Sequence, residues 1–398
     1  MFKQFEEVMG NSYSVFGSSV EHRIKQLRET FQQFRIEVPA LCSRKEPQKR
    51  TVHVPSKHPC HLNTVATVDA NTILTGGQDG IIRSYDFTDA SIVQEYVEHS
   101  DQVTKIDYAL RSGQRMFLSG SVDETIRLFD LSKPKSLQTF TKPGISVEGL
   151  SFINEHSFVS AGFLSGLLMW NMETGQTTAG ARADDHFITS MSLISDTDMV
   201  LTSGIDGTLR YWDLRLMDVV ATCDAAQFPL TNCEVNSNGL FCLATECIVL
   251  EDVMNAKEYE NLCAVQMWDL RQRSLMDRFH GHNQPAVSAM FLSSQLSKDQ
   301  MFMSVGDDQR IVVWNCEDND LPIAVEMLTD VPGNPCIGAV SKLGNNRFAI
   351  VGQNALVSSI EVSIDTDNPK IFVATMESQY HDQVNEQWQK KLEALGFV

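Results

Sequence analysis

The chain has 398 residues, of which 42% are hydrophobic and 21% charged. That composition is globular and excludes an intrinsically disordered chain. The formal net charge of −19 disfavours direct binding to nucleic acid and suits protein partners with basic segments.

Taken from the start, MFKQFEEVMG lacks a basic region followed by an apolar run, and no long apolar stretch of membrane-spanning length follows. The expectation is an intracellular protein, cytoplasmic or nuclear, with no membrane span. The nine cysteines form no C-x-x-C pair, which reads as free thiols in a reducing compartment. Residues 17–36 predict an amphipathic helix. Val20, Ile24, Leu27, Phe31 and Phe34 make one apolar stripe at 4-3-4-3 spacing, able to dock on the chain itself or on a partner helix. Pro39, Pro47, Pro55 and Pro59, with the basic group RKEPQKR, mark a linker. Residues 1–50 are therefore read as a helical extension and linker.

The next region, 51–375, is organised by a fixed interval. A hydroxyl residue ends an apolar run, a turn residue follows four positions later, and an aromatic follows ten positions later. Thr75, Asp79 and Tyr85 fit, as do Ser119, Asp123 and Phe129. So do Thr202, Asp206 and Trp212, and Ser304, Asp308 and Trp314. Ser160, Leu164 and Trp170 lack the Asp, and Ile350, Asn354 and Ile360 form a degenerate copy. A further copy ends at Trp268 and contains an insertion at roughly 247–262, which brings the total to seven. Each copy reads as two strands around a Gly/Asp turn, with one apolar run before and one after. The unit is thus four strands in about 40–45 residues.

The segments GSVDETIRLFD, GIDGTLRYWD and GDDQRIVVWN resemble the WD-repeat signature. The resemblance implies an all-β, seven-bladed β-propeller, with stacked blades sharing a core that none could bury alone. It also implies a structural hydrogen-bonded tetrad of His, hydroxyl, Asp and Trp. In the sixth copy these are His282, Ser304, Asp308 and Trp314. The second copy has His99, Ser119 and Asp123, but Phe129 cannot donate. Copies three and seven, without the Asp, are expected to be softer. Two copies end in W-D-L-R, at Arg215 and Arg271. Such endings resemble those of substrate receptors of cullin-4 ubiquitin ligases, where the Arg contacts the ligase adaptor. Acidic WD-repeat proteins with an N-terminal helix also resemble histone-binding chaperones, and GGQDGIIRSYDF resembles a subunit of a transcription coactivator. The N-terminal helix before a propeller is similar to G-protein β subunits as well.

Residues 376–398 predict a second amphipathic helix with the stripe Tyr380, Val384, Trp388, Leu392 and Leu395, and Gly396 as its cap. Either KIFVAT or TVHV can supply the outer strand that closes the ring. Catalytic motifs are absent: there is no G-x-S-x-G, Walker A or H-E-x-x-H. His58, Cys60 and His61 lack a fourth ligand for zinc. The turn aspartates recur too regularly to be a carboxylate array, and the glycines at 76, 77, 120, 162 and 204 read as turn residues. The expected function is a non-enzymatic scaffold or adaptor that binds other proteins. No cofactor, metal or small-molecule substrate is expected.

Overall fold

The structure is a computed structural model. It describes residues 60–375 except 88–90, 142–145, 163–165, 182–186, 196, 224–228, 247–262, 293–300, 317–321, 329–335, 345 and 364–369, together with Glu386, Gln387, Lys390 and Glu393. The stripe Val20, Ile24, Leu27, Phe31 and Phe34, the C-terminal stripe, Leu164 and the insertion lie outside these residues. Glu386, Gln387, Lys390 and Glu393 are helical.

Seven four-stranded antiparallel sheets follow one another along the chain, each pairing its strands in sequence order. Blade 1 runs from Leu62 to Val97, blade 2 from Val103 to Thr141 and blade 3 from Val147 to Ala181. Blade 4 runs from Ile188 to Cys223, blade 5 from Leu230 to His280, blade 6 from Ala286 to Met327 and blade 7 from Ile337 to Thr375. The first strands of neighbouring blades touch all round the ring, including blade 7 against blade 1. They therefore line a central channel, and the chain is a closed seven-bladed propeller.

Burial follows position in the blade. The second and third strands have neighbours on both faces and are continuously buried, as from Phe302 to Val305 and from Ile311 to Trp314. The fourth strand is an edge and alternates with period two: in Asp218–Cys223, Asp218, Val220 and Thr222 are exposed. The turn between the second and third strands is built the same way in four blades. The Asp Oδ1 accepts the amide two residues on, from Ile81 to Asp79, Thr125 to Asp123, Thr208 to Asp206 and Arg310 to Asp308, at 3.0–3.1 Å. The residue after the Asp has positive φ. Gly80 and Gly207 accept this freely, while Glu124 (63°) and Gln309 (61°) do so with strain.

Blades are joined by aromatic wedges. A ring from the fourth strand of one blade stands edge-on against a stacked pair in the next. Tyr96 meets Phe117 and Phe129, Phe140 meets Phe158 and Trp170, and Phe279 meets Phe302 and Trp314, at centroid distances of 4.8–5.8 Å. Such pairs add about 0.5–1.5 kcal/mol each beyond area burial. Gly76 and Gly120 belong to the same interface rather than to turns. A Cβ on either would stand 2.6–2.7 Å from Val103 or Val147 of the next blade. Their role is close approach of backbone between blades, which corrects the turn assignment.

Among the described residues, blade 7 takes all four of its strands from one continuous stretch of chain. Lys370–Thr375 forms the outer strand of blade 7, paired with Val357–Ser363 of the same blade. TVHV lies outside the described residues. Blade 7 meets blade 1 through Ala355 N–H to Cys60 O at 2.8 Å and Thr67 Oγ1 to Ser341 Oγ at 2.8 Å. A shared core of Cys60, Leu62, Val65, Tyr85, Val351 and Val357 supports that contact. Gly338 lies so close to Leu62 O that no Cβ fits there.

Candidate functional site

Polar networks inside the blades account for most residues that chemistry might use. In blade 6, Trp314 Nε1–H donates to Ser304 Oγ at 2.8 Å, and Ser304 Oγ lies 2.7 Å from His282 Nε2. His282 Nδ1 lies 3.0 Å from Asp308 Oδ1, and Asn283 N–H donates to Asp308 Oδ2 at 2.7 Å. With Nδ1 carrying the proton, one directional chain runs from indole to carboxylate and every member has a partner. Burial opposes ionisation of Asp308, but the hydrogen bond from His282 holds its carboxyl below the usual range. In blade 2, His99 reaches Ser119 at 2.7 Å and Asp123 at 2.8 Å, and Phe129 stacks on Phe117. In blades 3 and 4 the indoles of Trp170 and Trp212 donate to Ser160 and Thr202, each at 2.8 Å. Blade 7 has Ile350 and Ile360 at these positions, both fully buried.

Blade 5 differs in a way the repeat does not signal. Ala244 stands where the hydroxyl belongs, opposite Gln266. Trp268 Nε1–H instead donates to Gln266 Oε1 at 2.9 Å, and Gln266 Nε2 and Arg278 Nη2 both donate to Glu246 Oε1. Gln266 and Glu246 are fully buried, and burial raises the Glu246 pKa. A polar residue within the otherwise apolar run CAVQMW is the sequence signal that could have revealed it.

The channel wall carries charge. Burial raises the Asp107 carboxyl to about 6 and the Glu234 carboxyl to about 7, with Lys105 and Lys342 opposing the shift at Glu234. Asp107 Oδ2 accepts Phe152 N–H of the next blade at 2.9 Å. Ser190, Asn232 and Ser288 form a hydrogen-bonded run across blades 4, 5 and 6, at 2.8 and 3.0 Å. Cys60 is buried, and burial pushes the His61 ring down to about 4. Among the described residues no group of three His, Cys, Asp or Glu side chains could hold a metal ion, and no disulfide joins two of the described cysteines.

Arg215 and Arg271 occupy equivalent positions in adjacent blades, three residues after Trp212 and Trp268. Each begins the turn into a fourth strand, and the preceding Asp caps that turn: Asp213 and Asp269 accept the Arg215 and Arg271 amides at 2.8 Å. The guanidinium of Arg215 lies 3.2 Å from Asp213 and 3.6 Å from Asp198, and that of Arg271 lies 3.5 Å from Asp269. The side chains are 72% and 63% exposed, so these ion pairs hold them only weakly and leave their donors available. Large apolar side chains are exposed in the turns and fourth strands that follow them: Leu216 and Val220 in blade 4, Leu275 and Met276 in blade 5. Each of the two blades thus carries an exposed arginine followed within about five residues by exposed apolar side chains. Arginine forks recognise carboxylates, and exposed aliphatics reward a partner that covers them.

Comparison with known proteins agrees with this architecture. Residues 90–130 and 177–213 match the family described as "WD domain, G-beta repeat". The chain is 26% identical over 209 residues to the WD repeat-containing protein JIP5 of Cryptococcus neoformans, covering 50% of this chain and 54% of that one. It is 27% identical over 161 residues to a Periodic tryptophan protein 2 homolog of Dictyostelium discoideum, covering 39% and 18%. Pre-mRNA-processing factor 19 of Oryza sativa is 24% identical over 230 residues, covering 54% and 40%. The chain spans between about a fifth and about half of these relatives' own lengths.

Proposed function

On the premise that this chain is a WD-repeat β-propeller, we propose that it is a non-enzymatic scaffold holding other proteins in a complex, with the side of blades 4 and 5 that carries Arg215 and Arg271 as a docking face. The observation that carries the reading is the repeated pairing of exposed arginine with exposed aliphatics, Arg215 with Leu216 and Val220, and Arg271 with Leu275 and Met276. The partner surface that fits is apolar with carboxylates. Relatives named for pre-mRNA processing and for autophagy are compatible with an assembly role inside the cell.

The experiment is affinity purification of the tagged chain with mass spectrometry, beside the Arg215→Ala/Arg271→Ala double variant. Both arginines are exposed, so the variant folds as the wild type does. Loss of at least one stoichiometric partner is expected. An unchanged set of partners overturns the assignment of this face.

A second reading is that of a cullin-4 ubiquitin ligase substrate receptor, supported by the two W-D-L-R endings on adjacent blades. Recovery of the ligase adaptor with the wild type and its loss from the double variant selects this reading over a general scaffold. A third, a chromatin or histone-binding scaffold, is supported by the net charge of −19. It requires binding to basic peptides that weakens steeply with salt, and a salt-independent affinity excludes it.

A further inference from the structure

In two blades an arginine of the third strand reaches back to the blade before it. In blade 2, Arg127 of the third strand donates through Nη1 to Glu98 Oε2 at 2.8 Å. Glu98 is the first residue after the fourth strand of blade 1, Ser91–Val97. In blade 6, Arg310 of the third strand donates through Nη1 to Gly281 O at 3.2 Å. Gly281 is the first residue after the fourth strand of blade 5, Ser274–His280. In these two blades a third-strand arginine thus holds the chain as it arrives from the preceding blade, Arg127 from four residues after its turn Asp and Arg310 from two, whereas Arg210 of blade 4 donates to its own turn residue Asp206. At blade 1 the preceding blade in the ring is blade 7, and the chain that leaves blade 7 is the C-terminal tail.

Arg83 is the third-strand arginine of blade 1, and it is fully buried. Nη2 donates to Asp79 Oδ2 at 2.6 Å, and Nε donates to Glu95 Oε1 at 3.1 Å. Both donors also reach Gln387 Oε1, Nη2 at 2.7 Å and Nε at 3.2 Å. Gln387 lies on the helical tail, twelve positions after Thr375, which ends the outer strand of blade 7. With two carboxylates already facing Arg83, a neutral amide oxygen adds acceptors without adding a third negative charge.

We infer that the C-terminal helical segment is a latch: Gln387 on Arg83 ties the chain that leaves blade 7 to the third strand of blade 1, as Glu98 ties the chain that leaves blade 1 to Arg127 of blade 2.

The test uses the full chain with Gln387→Met, which keeps the shape and removes the acceptor, and Gln387→Lys, which sets an ammonium against the guanidinium. Native-state hydrogen exchange is read by mass spectrometry. Both variants are expected to speed exchange about tenfold in the third and fourth strands of blade 1, Ile81–Asp86 and Ser91–Val97, with the larger rise for Gln387→Lys. Exchange in blade 4, at Met199–Gly204 and Leu209–Asp213, stays as in the wild type. Unchanged exchange in blade 1 of Gln387→Met overturns the latch. So does a rise of equal size in blade 4, which marks general destabilisation.

Discussion

Blades 5 and 6 are neighbours, share one core cluster and bury a tryptophan at the same position, yet they satisfy its indole by different means. In blade 6 a serine hydroxyl sits between indole and imidazole, and the network ends on a carboxylate held by two further amides. In blade 5 the residue opposite the missing hydroxyl takes over. Gln266 occupies the place of Val312, and its amide hands the interaction on to Glu246 and Arg278. The first network is closed. The second leaves Glu246 Oε2 and Arg278 Nε buried without a hydrogen-bond partner among the described residues. The need to satisfy a buried indole is constant, and the residues that meet it are interchangeable when another strand can deliver an acceptor.

The comparison breaks most severely at Ser304. Ser304→Ala leaves the Trp314 N–H and the His282 ring unsatisfied in a fully buried site. A loss of about 3 kcal/mol in urea unfolding is expected. A loss under about 1 kcal/mol shows that the hydroxyl is not the hub. In blade 5, Gln266→Val removes the acceptor of one indole and one donor to Glu246, at about 2 kcal/mol. Adding Ala244→Ser, which places a hydroxyl where blade 6 has Ser304, is expected to recover at least half of that loss. Failure of the double variant to recover stability means that the strands of blade 5 hold the indole out of reach of that position.

The smallest effect is one of sign with pH. Asp308 titrates below the usual 3.8, so its contribution is present above that pH and is lost as pH falls through the range below it. Glu246 titrates above 4.5, so its ionised form is disfavoured in the fold and stability falls as pH rises through 4.5. The cost of Asp308→Asn should therefore shrink on acidification below 3.8, whereas the cost of Glu246→Gln should shrink on going above 4.5. Urea titrations of the two variants between acid and neutral pH read the sign of both slopes. Slopes of the same sign refute the contrast.

Much of this was legible in sequence because it is local. The interval from Ser304 to Trp314 is the length of a hairpin arm and its turn. Residue 312 pairs opposite 304, and the aromatic follows two positions later on the same face. Any chain that preserves that register shows the same interval, so the number of blades and the turn aspartates could be read directly. Gln266 could be seen but not interpreted, since the carboxylate that completes its network, Glu246, comes from another strand. The wedge rings Tyr96, Phe140 and Phe279 resemble any apolar residue of an outer strand. Gly76 and Gly120 read as turn glycines until the next blade was in place.

The sequence by itself therefore determined the repeat, the all-β propeller and the arginine endings at 215 and 271, because each is set by contacts within one hairpin or one turn. Tertiary structure alone decided how the ring closes, which network serves blade 5, and that Arg83 meets Gln387 across 304 positions of chain. Those choices depend on which distant segments share space, and no periodicity in a linear pattern encodes that.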